Sequence, residues 1–205
     1  HRLRLAVAAR EGRYTMRDGK HMILAINPGS TSIKIAVYQD EQDIEEQNLQ
    51  LKMMDIVDNF QTYEMDWDSE PVLLIRAFLD KIGVAPQELD MVVARGGPAP
   101  PMKSGAYRVN ELFVNTFRYE PLVKHPSILG PEMAYVMASH LGITPIVYDA
   151  DSVDEADEME HLTGLPEIRR TITSHNLNGK LMCLRLSEKL GIPYPEARFI
   201  VVHLG

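Results

Sequence analysis

The chain has 205 residues, of which 45% are apolar and 24% charged, so it can bury the core of one or two domains. Its net charge of −8 argues against non-specific binding to nucleic acid or to an anionic membrane, since both need a basic face, and no apolar run is long enough to span a bilayer. The single cysteine excludes an internal disulfide and fits a reducing compartment, so we expect a cytoplasmic protein.

The first residues differ in composition from the rest of the chain. Residues 1–21 carry six basic and two acidic side chains, a charge of +4. Arg-rich, acid-poor leaders are typical of transit peptides, but we interpret this stretch as a disordered or non-native extension. The apolar run that follows Met22 indicates where the folded part begins.

Three strands, a helix and a fourth strand are predicted next. They cover, in order, residues 23–27, 33–38, 47–53, 70–83 and 91–94. The first strand is a short apolar run, and the second alternates apolar and polar residues after the polar loop 28–32, which together predict a β-hairpin. A turn at 40–43 precedes the third strand, and an apolar stripe that ends at Gly83 predicts the helix.

Two further helices and two further strands follow a proline-rich loop over residues 98–105. The helices are predicted at 128–141 and 175–190, each followed by a glycine, and the strands at 145–148 and 199–202. A hairpin followed by alternating helices and strands predicts an α/β fold, with a mixed sheet flanked by helices.

Four polar residues fall at the ends of predicted strands, namely Asn27, Arg95, Asp149 and His203. In open α/β sheets, ligands bind beyond the carboxyl ends of the strands. We therefore expect these four side chains to contribute to one site.

The loop between the first two strands has the composition of a phosphate cradle. Gly29 allows close backbone approach, Ser30 and Ser32 offer hydroxyls, and Lys34 adds positive charge. Turn amides can also bind an anion. The loop matches neither the Walker A nor the dinucleotide glycine pattern, so an ordinary polar hairpin is the alternative.

Arg95 and Asp149 follow strands and could act on a charged ligand. A guanidinium binds a carboxylate or phosphate through two parallel hydrogen bonds, and Gly96 and Gly97 would clear the approach path. Asp149 could hold Mg²⁺ through water or align a nucleophile. The alternatives are a surface arginine at a turn and, for the six acidic residues between 151 and 160, a solvated helix start.

Two histidines precede predicted helices. His125 lies beside Lys124, and Ser127 is a candidate cap for the helix that follows. His175 shares a helix face with Asn178, with Ser174 or Thr173 as the cap. The alternatives are a loop histidine and an exposed helix histidine. Cys183, among apolar residues, is expected to be inert packing.

An ordered set of segments carries a resemblance to a known family. The segments are Ile23-Leu24-Ala25-Ile26-Asn27-Pro28-Gly29-Ser30-Thr31-Ser32-Ile33-Lys34-Ile35-Ala36-Val37, Val93-Ala94-Arg95-Gly96-Gly97, His125-Pro126-Ser127-Ile128-Leu129-Gly130, Val147-Tyr148-Asp149 with Val153-Asp154-Glu155, Ser174-His175-Asn176-Leu177-Asn178 and Val201-Val202-His203-Leu204-Gly205. Together they resemble the butyrate kinases of the acetokinase family, within the acetate-and-sugar-kinase/actin superfamily, in collinear order from about residue 22 onwards.

The resemblance implies an ATP-dependent carboxylate kinase with a ribonuclease-H-like (actin-like ATPase) domain that uses Mg²⁺. Arg95 would bind the substrate carboxylate, Asp149 would align the attacking group or the metal, and His125 and His175 would stabilise charge on the phosphoryl group. Phosphates and Mg²⁺ would be served by Asn27, Ser30, Ser32, Lys34, His203 and Gly205, with Asn27 as the residue toward the metal. A homo-oligomer is also implied.

The resemblance further divides the chain into residues 22–196, an N-terminal kinase domain, and 197–205, the first strand of a second domain. We expect the chain to be a fragment that is inactive alone, because half of the ATP site would be absent. Pro98 and the prolines after it stand where aliphatic residues are usual, and Ile128 stands where asparagine is common. The choice of acid therefore stays open between butyrate and acetate, propionate or a branched acid. A non-catalytic domain that binds an anion or a partner is the alternative function.

Overall fold

The computed structural model describes residues 20–202. Two of the predicted ligand-binding residues, His203 and Gly205, lie outside the described residues, as does most of the basic extension. Within the described part, six strands form one mixed sheet with the order β3-β2-β1-β4-β6-β5. The strands are β1 (Met22–Pro28), β2 (Ser32–Gln39), β3 (Gln42–Gln50), β4 (Met91–Ala94), β5 (Ala106–Arg108) and β6 (Thr144–Tyr148).

Five α-helices accompany the sheet in residues 20–202. They are α1 (Met53–Asp58), α2 (Glu70–Lys81), α3 (Glu111–Tyr119), α4 (Gly130–Leu141) and α5 (Asn176–Leu190). Short 3₁₀ turns lie at Pro86–Glu88, Pro126–Leu129 and Tyr194–Glu196. None of the helices in this part of the chain is long and apolar enough to cross a membrane. The predicted mixed sheet with flanking helices is confirmed.

The predicted β1–β2 hairpin is present, as an antiparallel pair. Leu24 and Ile26 of β1, with Ile33 and Ile35 of β2, are buried, because alternate side chains of a strand point to the same face. The loop is shorter than predicted, since Pro28 already pairs with Ile33. β1 then pairs in parallel with β4, and β4 with β6, so the carboxyl ends of three central strands meet at one edge of the sheet.

The third strand begins earlier than predicted and ends earlier. It starts at Gln42, directly after a tight turn in which Asp40 adopts a positive φ of 54°. Because β3 lies at the sheet edge and buries only Leu49, it lacks the apolar alternation used to find strands. Met53, predicted as the strand's last residue, is instead the first residue of α1 and is fully buried.

Helices α2 and α4 pack against the sheet and supply part of the core. Val72 and Ile75 of α2 and Met133 and Met137 of α4 are fully buried in the same cluster as the central strands. Gly142, with a positive φ of 70°, ends α4 in the left-handed conformation that glycine adopts readily. The helix stops inferred from glycine are confirmed here and at Gly191, which follows α5.

Three elements, α1, α3 and β5, were not predicted because they are short. α3 is a nine-residue helix whose first turn is capped by the Asn110 side chain, which accepts a hydrogen bond from the Phe113 amide (2.9 Å). β5 has three residues and is defined by antiparallel pairing with β6 rather than by its own pattern. Elements this short hold too few repeats of an apolar pattern to be recognised from the sequence.

Residues 199–202, predicted as the last strand, pair with no strand among residues 20–202, and Ile200 is 95% exposed. β-Branched residues favour a strand only where a neighbouring strand completes the hydrogen bonds, so the prediction is wrong for this structure. Residues 151–160, interpreted as the start of a helix, form turns instead. α5 buries only Cys183 and Ser187, so Cys183 is packed as predicted while most of the helix is exposed.

Candidate functional site

The site lies at the sheet edge where β1, β4 and β6 end. Asn27 is the penultimate residue of β1, Arg95 directly follows β4, and Asp149 directly follows β6. Because these strands are parallel neighbours, their carboxyl ends are adjacent in space. The fourth predicted strand-end residue, His203, lies outside the described residues.

Two clefts open at this edge. The strand cleft, about 470 Å³, lies between β1, β2, β4 and α5, and its polar lining includes Asn27, Lys34, Arg95, Asp151, His175 and Asn178. The helix cleft, about 740 Å³, lies between the start of α5 and the loops after β4 and β6, and its lining includes Pro98, His125, Asp151, His175, Lys180 and Cys183. Asp151 and His175 line both clefts.

Arg95 is held by a carboxylate that the sequence did not single out. Its Nε and Nη2 atoms donate to Oδ1 of Asp151 at 3.2 and 2.7 Å. The Arg95 side chain is 22% exposed, and Asp151 as a whole is 8% exposed. Asp151 was interpreted as one of several solvated acids, and that is wrong because burial and an ion pair hold it beside Arg95.

The glycines near Arg95 serve packing rather than ligand access. A Cβ atom on Gly96 would lie 2.7 Å from the Ala150 Cβ, and one on Gly97 would lie 2.6 Å from the Ile128 nitrogen. A Cβ on Gly130, the first residue of α4, would lie 2.1 Å from the Arg95 carbonyl oxygen. These glycines therefore allow the end of β4 to pack closely against its neighbours. Close packing, rather than a path for a ligand, explains Gly96 and Gly97.

His125 is fixed by its neighbour two residues on. Its Nδ1 atom accepts a hydrogen bond from the Ser127 amide (3.2 Å) and lies 2.6 Å from the Ser127 hydroxyl. His125 thus caps the 3₁₀ turn Pro126–Leu129, the reverse of the predicted cap by Ser127. An Nδ1 that accepts a hydrogen bond leaves the proton of the neutral ring on Nε2. Burial lowers the pKa of His125, against the opposing charge of Asp151.

Ser127 links the histidine to the carboxylate. Its side chain is fully buried, and its Oγ atom lies 3.4 Å from Oδ2 of Asp151. The side chains of His125, Ser127, Asp151 and Arg95 therefore form one continuous row of polar contacts that runs from the helix cleft to the strand cleft.

Asp149 turns away from both clefts. Its side chain is inaccessible to solvent, Oδ1 accepts a hydrogen bond from the Gly105 amide (2.7 Å), and Oδ2 lies 2.9 Å from Nζ of Lys180. Its backbone adopts a positive φ of 43°, a conformation that aspartate tolerates better than most residues. Asp149 therefore holds a loop and α5 against the end of β6 in this structure.

The loop between β1 and β2 is tight. The Gly29 amide donates to the Ser32 carbonyl oxygen (2.8 Å), which closes the turn, and Ser30 is exposed at its tip. Neither Ser30 nor Ser32 is among the residues that line the two clefts. The phosphate-binding role of these hydroxyls therefore stays a prediction.

Asn27 and Lys34, from the same hairpin, do line the strand cleft. Nζ of Lys34 lies 2.9 Å from Oε1 of Glu46 on β3, and this hydrogen bond raises the pKa of Lys34. Both side chains of the pair are more than two-fifths exposed, so water weakens the attraction and Lys34 is able to exchange partners.

His175 directly precedes α5 and lines both clefts, with Asn178 one turn further on at the strand cleft. The predicted caps differ from the observed one, since His175 itself occupies the N-cap position and neither Thr173 nor Ser174 caps the helix. The Ser174 amide instead donates to the Asp151 carbonyl oxygen (3.1 Å). This backbone contact places the start of α5 directly over the Arg95–Asp151 pair.

The donor set suits a magnesium ion that is shared with phosphates. No cluster of three or more His, Cys, Asp or Glu side chains with metal-binding geometry occurs among residues 20–202. Mg²⁺ is usually held by one or two protein oxygens together with substrate phosphates and water rather than by a protein cage. The strand cleft offers the Asn27 amide oxygen. The carboxylate of Asp151 is already engaged by Arg95, and that of Asp149 by Lys180 and Gly105.

Sequence reasoning missed three contributors: Asp151, Ser127 and Lys180. Asp151 was detectable, because it lies only three residues after the end of β6, and Arg95 and Asn27 also lie near strand ends. Ser127 was predicted to cap a helix, whereas its amide donates to the His125 ring. Its burial results from tertiary packing, which the local sequence pattern does not reveal. Lys180 meets Asp149 only through the placement of α5, so the sequence holds no signal for that contact.

Comparison with curated proteins gives relatives along most of the chain. Probable butyrate kinase 1 of Thermotoga maritima is 34% identical over 187 residues, which cover 90% of this chain and 51% of that protein. Butyrate kinase 1 of Clostridium acetobutylicum is 32% identical over 185 residues, 90% of this chain and 52% of that protein. The chain thus spans about half the length of the curated relatives it matches. No family model matches it.

Solved structures share the fold. An acetate kinase from Porphyromonas gingivalis superposes with a TM-score of 0.56 at 16% identity, covering 85% of this chain and 50% of that one. A propionate kinase from Francisella tularensis gives 0.56 at 11% identity, over 84% of this chain and 50% of that one. The predicted α/β fold of the ribonuclease-H-like, actin-like class is confirmed, as is the resemblance read from the motifs.

Proposed function

We propose that this chain, a homologue of the butyrate kinases in the acetokinase family, carries the carboxylate-binding half of an ATP-dependent carboxylate kinase. The reaction is carboxylate + ATP ⇌ acyl phosphate + ADP, with a carboxylate oxygen attacking the γ-phosphorus. The observation that carries the proposal is the position of Arg95 at a strand end, in a cleft shared with His175 and next to His125, in a chain homologous to butyrate kinases over 90% of its length.

Arg95 binds the substrate carboxylate in this proposal. Its Nε edge is engaged by Asp151, and no hydrogen bond to Nη1 occurs among the described residues. The outer edge of the guanidinium, formed by Nη1 and Nη2, is therefore available for two parallel hydrogen bonds to a carboxylate. A substrate bound there has its acyl chain directed along the apolar wall that Pro98, Cys183 and Tyr194 give the helix cleft.

The two histidines stabilise charge on the transferring phosphoryl group. With Nδ1 of His125 engaged by Ser127, its Nε2–H is the donor that faces outward. His175, at the head of α5, lies on the wall common to both clefts and so between carboxylate and phosphate. Catalysis then consists of positioning and charge neutralisation, since phosphoryl transfer requires little covalent chemistry from the protein.

The nucleotide phosphates lie on the side of the β1–β2 hairpin. Asn27 and Lys34 contact the phosphates from the strand cleft, and Ser30 and Ser32 contact them from its rim. His203 and Gly205, which lie beyond the described residues, also bind the phosphates in this proposal. Mg²⁺, held by the phosphates and Asn27, would neutralise negative charge on the phosphates. Asp149 acts indirectly, by holding Lys180 and the loop at Gly105 in place for the groups that touch substrate.

Several finer attributes stay predictions. They are the division at residues 196/197, the homo-oligomer, the cytoplasmic location and negligible turnover by the 205-residue chain alone. Butyrate is the acid proposed, because the curated relatives are named butyrate kinases, with acetate, propionate or a branched acid as the alternatives. A non-catalytic anion-binding domain is the second candidate, because the same clefts would bind an anion without transferring a phosphoryl group.

The test is butyrate binding by the 205-residue protein, followed by amide chemical shifts in NMR. We expect shifts at Arg95 and His175 that saturate with butyrate, and at least tenfold weaker binding by Arg95→Gln, because a lost charge-assisted pair costs about 1.5–3 kcal/mol. Arg108→Gln, which removes the same charge from the exposed strand β5, is the matched control and should bind as the unaltered protein does.

Two results would count against the proposal. Equal butyrate affinity of Arg95→Gln and Arg108→Gln would remove Arg95 from the site. Binding of inorganic phosphate but no butyrate, acetate or propionate would favour the anion-binding domain instead.

A further inference from the structure

We propose that Asp151 is the positioning residue for Arg95, and that it orients the guanidinium so that one edge faces the substrate carboxylate. This inference rests on the proposed function and deepens it. It assigns to a carboxylate inside the site a role in binding an anion, although its own negative charge opposes that anion.

The geometry of the pair defines the orientation. Nε and Nη2 of Arg95 both donate to the same oxygen, Oδ1 of Asp151. Two donors on one acceptor fix the plane of the guanidinium as well as its distance, because the donors of arginine form a rigid fork. The edge that remains, Nη1 with the second N–H of Nη2, is the edge that makes bidentate contacts with a carboxylate.

Asp151 is itself held from several directions. It is 8% exposed, its amide donates to the Gly96 carbonyl oxygen (3.1 Å), and its own carbonyl oxygen accepts from the Ser174 amide (3.1 Å). Its second carboxylate oxygen, Oδ2, lies 3.4 Å from the buried Ser127 hydroxyl. A side chain fixed at both backbone and carboxylate is suited to hold another side chain in one orientation.

A simpler role for Asp151 predicts the opposite effect. If Asp151 only neutralised the charge of Arg95, its removal would leave an unpaired cation and tighten the binding of an anion. If it positions Arg95, its removal frees a long side chain, and binding then has to order that side chain again, so affinity falls. The direction of the change in affinity therefore decides between the two roles.

The experiment measures butyrate affinity of the 205-residue protein and of Asp151→Ala and Asp151→Asn. We expect about tenfold weaker binding by Asp151→Ala and a smaller loss for Asp151→Asn, which keeps an acceptor oxygen toward Arg95. The NMR signal of the Arg95 Nε–H should be narrow and slowly exchanging in the unaltered protein, because Nε donates to Asp151, and should broaden in Asp151→Ala. Asp80→Asn removes the same charge from an exposed position of α2 and serves as the control.

The outcomes separate this inference from the function on which it rests. If the unaltered protein binds no butyrate, or if Arg95→Gln binds it equally well, the proposed function fails and this inference with it. If Arg95→Gln weakens binding while Asp151→Ala binds butyrate as tightly as the unaltered protein or more tightly, only the positioning role is overturned. If Asp151→Ala does not fold, the near-isosteric Asp151→Asn replaces it. Weaker butyrate binding by Asp151→Asn then supports the positioning role, and equal or tighter binding overturns it.

A double substitution gives an independent check. In the Arg95→Gln background, Asp151→Asn should weaken butyrate binding no further, because Asp151 acts through Arg95. An additional loss of the same size as in the unaltered background would show that Asp151 acts separately, and would contradict the inference.

Discussion

The protonation state of His125 is set by two neighbours and by burial. Ser127 occupies Nδ1, and burial lowers the pKa of the ring below its ordinary value of 6.5 more than the nearby Asp151 raises it. At neutral pH the ring is therefore uncharged with its proton on Nε2. In the proposed reaction it would therefore meet a phosphoryl oxygen as a hydrogen-bond donor rather than as a cation.

This assignment predicts how His125 titrates. The NMR pH titration of the His125 Cε1–H should give a pKa below 6.5, with the other histidines as internal references. Since the unfolded chain takes up this proton first, the contribution of His125 to the free energy of unfolding is present above pH 6.5 and is lost as pH falls through its folded-state pKa. Urea unfolding of His125→Gln should lack that component. Titration at or above pH 6.5 would contradict the assignment.

At single positions, the sequence predicted residues but not their partners. Asn27, Arg95 and His175 were found because strand ends and helix starts are visible as patterns, and the structure brings them to one edge of the sheet. The partners of Asp149 and Asp151 were not predictable. The Asp149 carboxylate contacts Lys180, on a residue with a positive φ, and the Asp151 carboxylate contacts Arg95, and both contacts depend on how distant segments pack.

Among the elements, β4 and α4 meet so closely that no side chain fits at Gly130. Gly130, the first residue of α4, has helical backbone angles (φ −55°, ψ −48°) that any residue could adopt, so backbone conformation does not require a glycine here. The glycine is required by space, since a Cβ would lie 2.1 Å from the Arg95 carbonyl oxygen. The helix thus fixes the backbone from which the Arg95 side chain extends.

The Gly130→Ala substitution should destabilise the protein by about 1–3 kcal/mol, although alanine is the better helix former. Chemical denaturation measures this loss, and butyrate affinity should fall with it because the Arg95 backbone must move. Gly164→Ala is the control, since a Cβ there meets no atom within 4 Å, and we expect a change within about 0.5 kcal/mol. Equal stability of the two variants would mean that the junction relaxes at no cost.

Long elements with a buried face were predictable and short or edge elements were not. The hairpin, α2 and α4 repeat an apolar pattern often enough to be found. The edge strand β3 and the three-residue β5 owe their form to a neighbour in the sheet. Residues 199–202 show the converse, since they have strand-forming side chains but no partner strand within residues 20–202.

Across the whole molecule, one buried ion pair joins three separate segments. Arg118 of α3 contacts Glu132 of α4, and its Nη1 atom also donates to the carbonyl oxygens of Phe60 (2.8 Å) and Tyr63 (2.7 Å), after α1. Both charged side chains are at least nine-tenths buried. Burial raises the pKa of Glu132 even with Arg118 beside it.

Removal of Arg118 should therefore destabilise the fold strongly. Arg118→Met leaves a buried carboxylate unpaired, for which we expect a loss of about 3–5 kcal/mol in urea unfolding at neutral pH. The folded-state pKa of Glu132 is raised, so stability is lost as pH rises through it, and the deficit of Arg118→Met should be smaller at pH 5 than at pH 8.

The matched control is Lys124→Met. It breaks a pair with Asp58 whose side chains are 64% and 62% exposed, and should change stability by less than about 0.5 kcal/mol. A deficit of Arg118→Met that stayed constant between pH 5 and pH 8 would contradict this account of Glu132.

The two clefts share part of their lining, since Asp151 and His175 belong to both. A ligand in one cleft that draws either side chain toward itself changes the wall of the other. By thermodynamic linkage, the first ligand then alters the affinity of the second by a factor that is identical in the reverse direction. Carboxylate and phosphate would therefore be cooperative or antagonistic as a pair, and the order in which they bind would leave that factor unchanged.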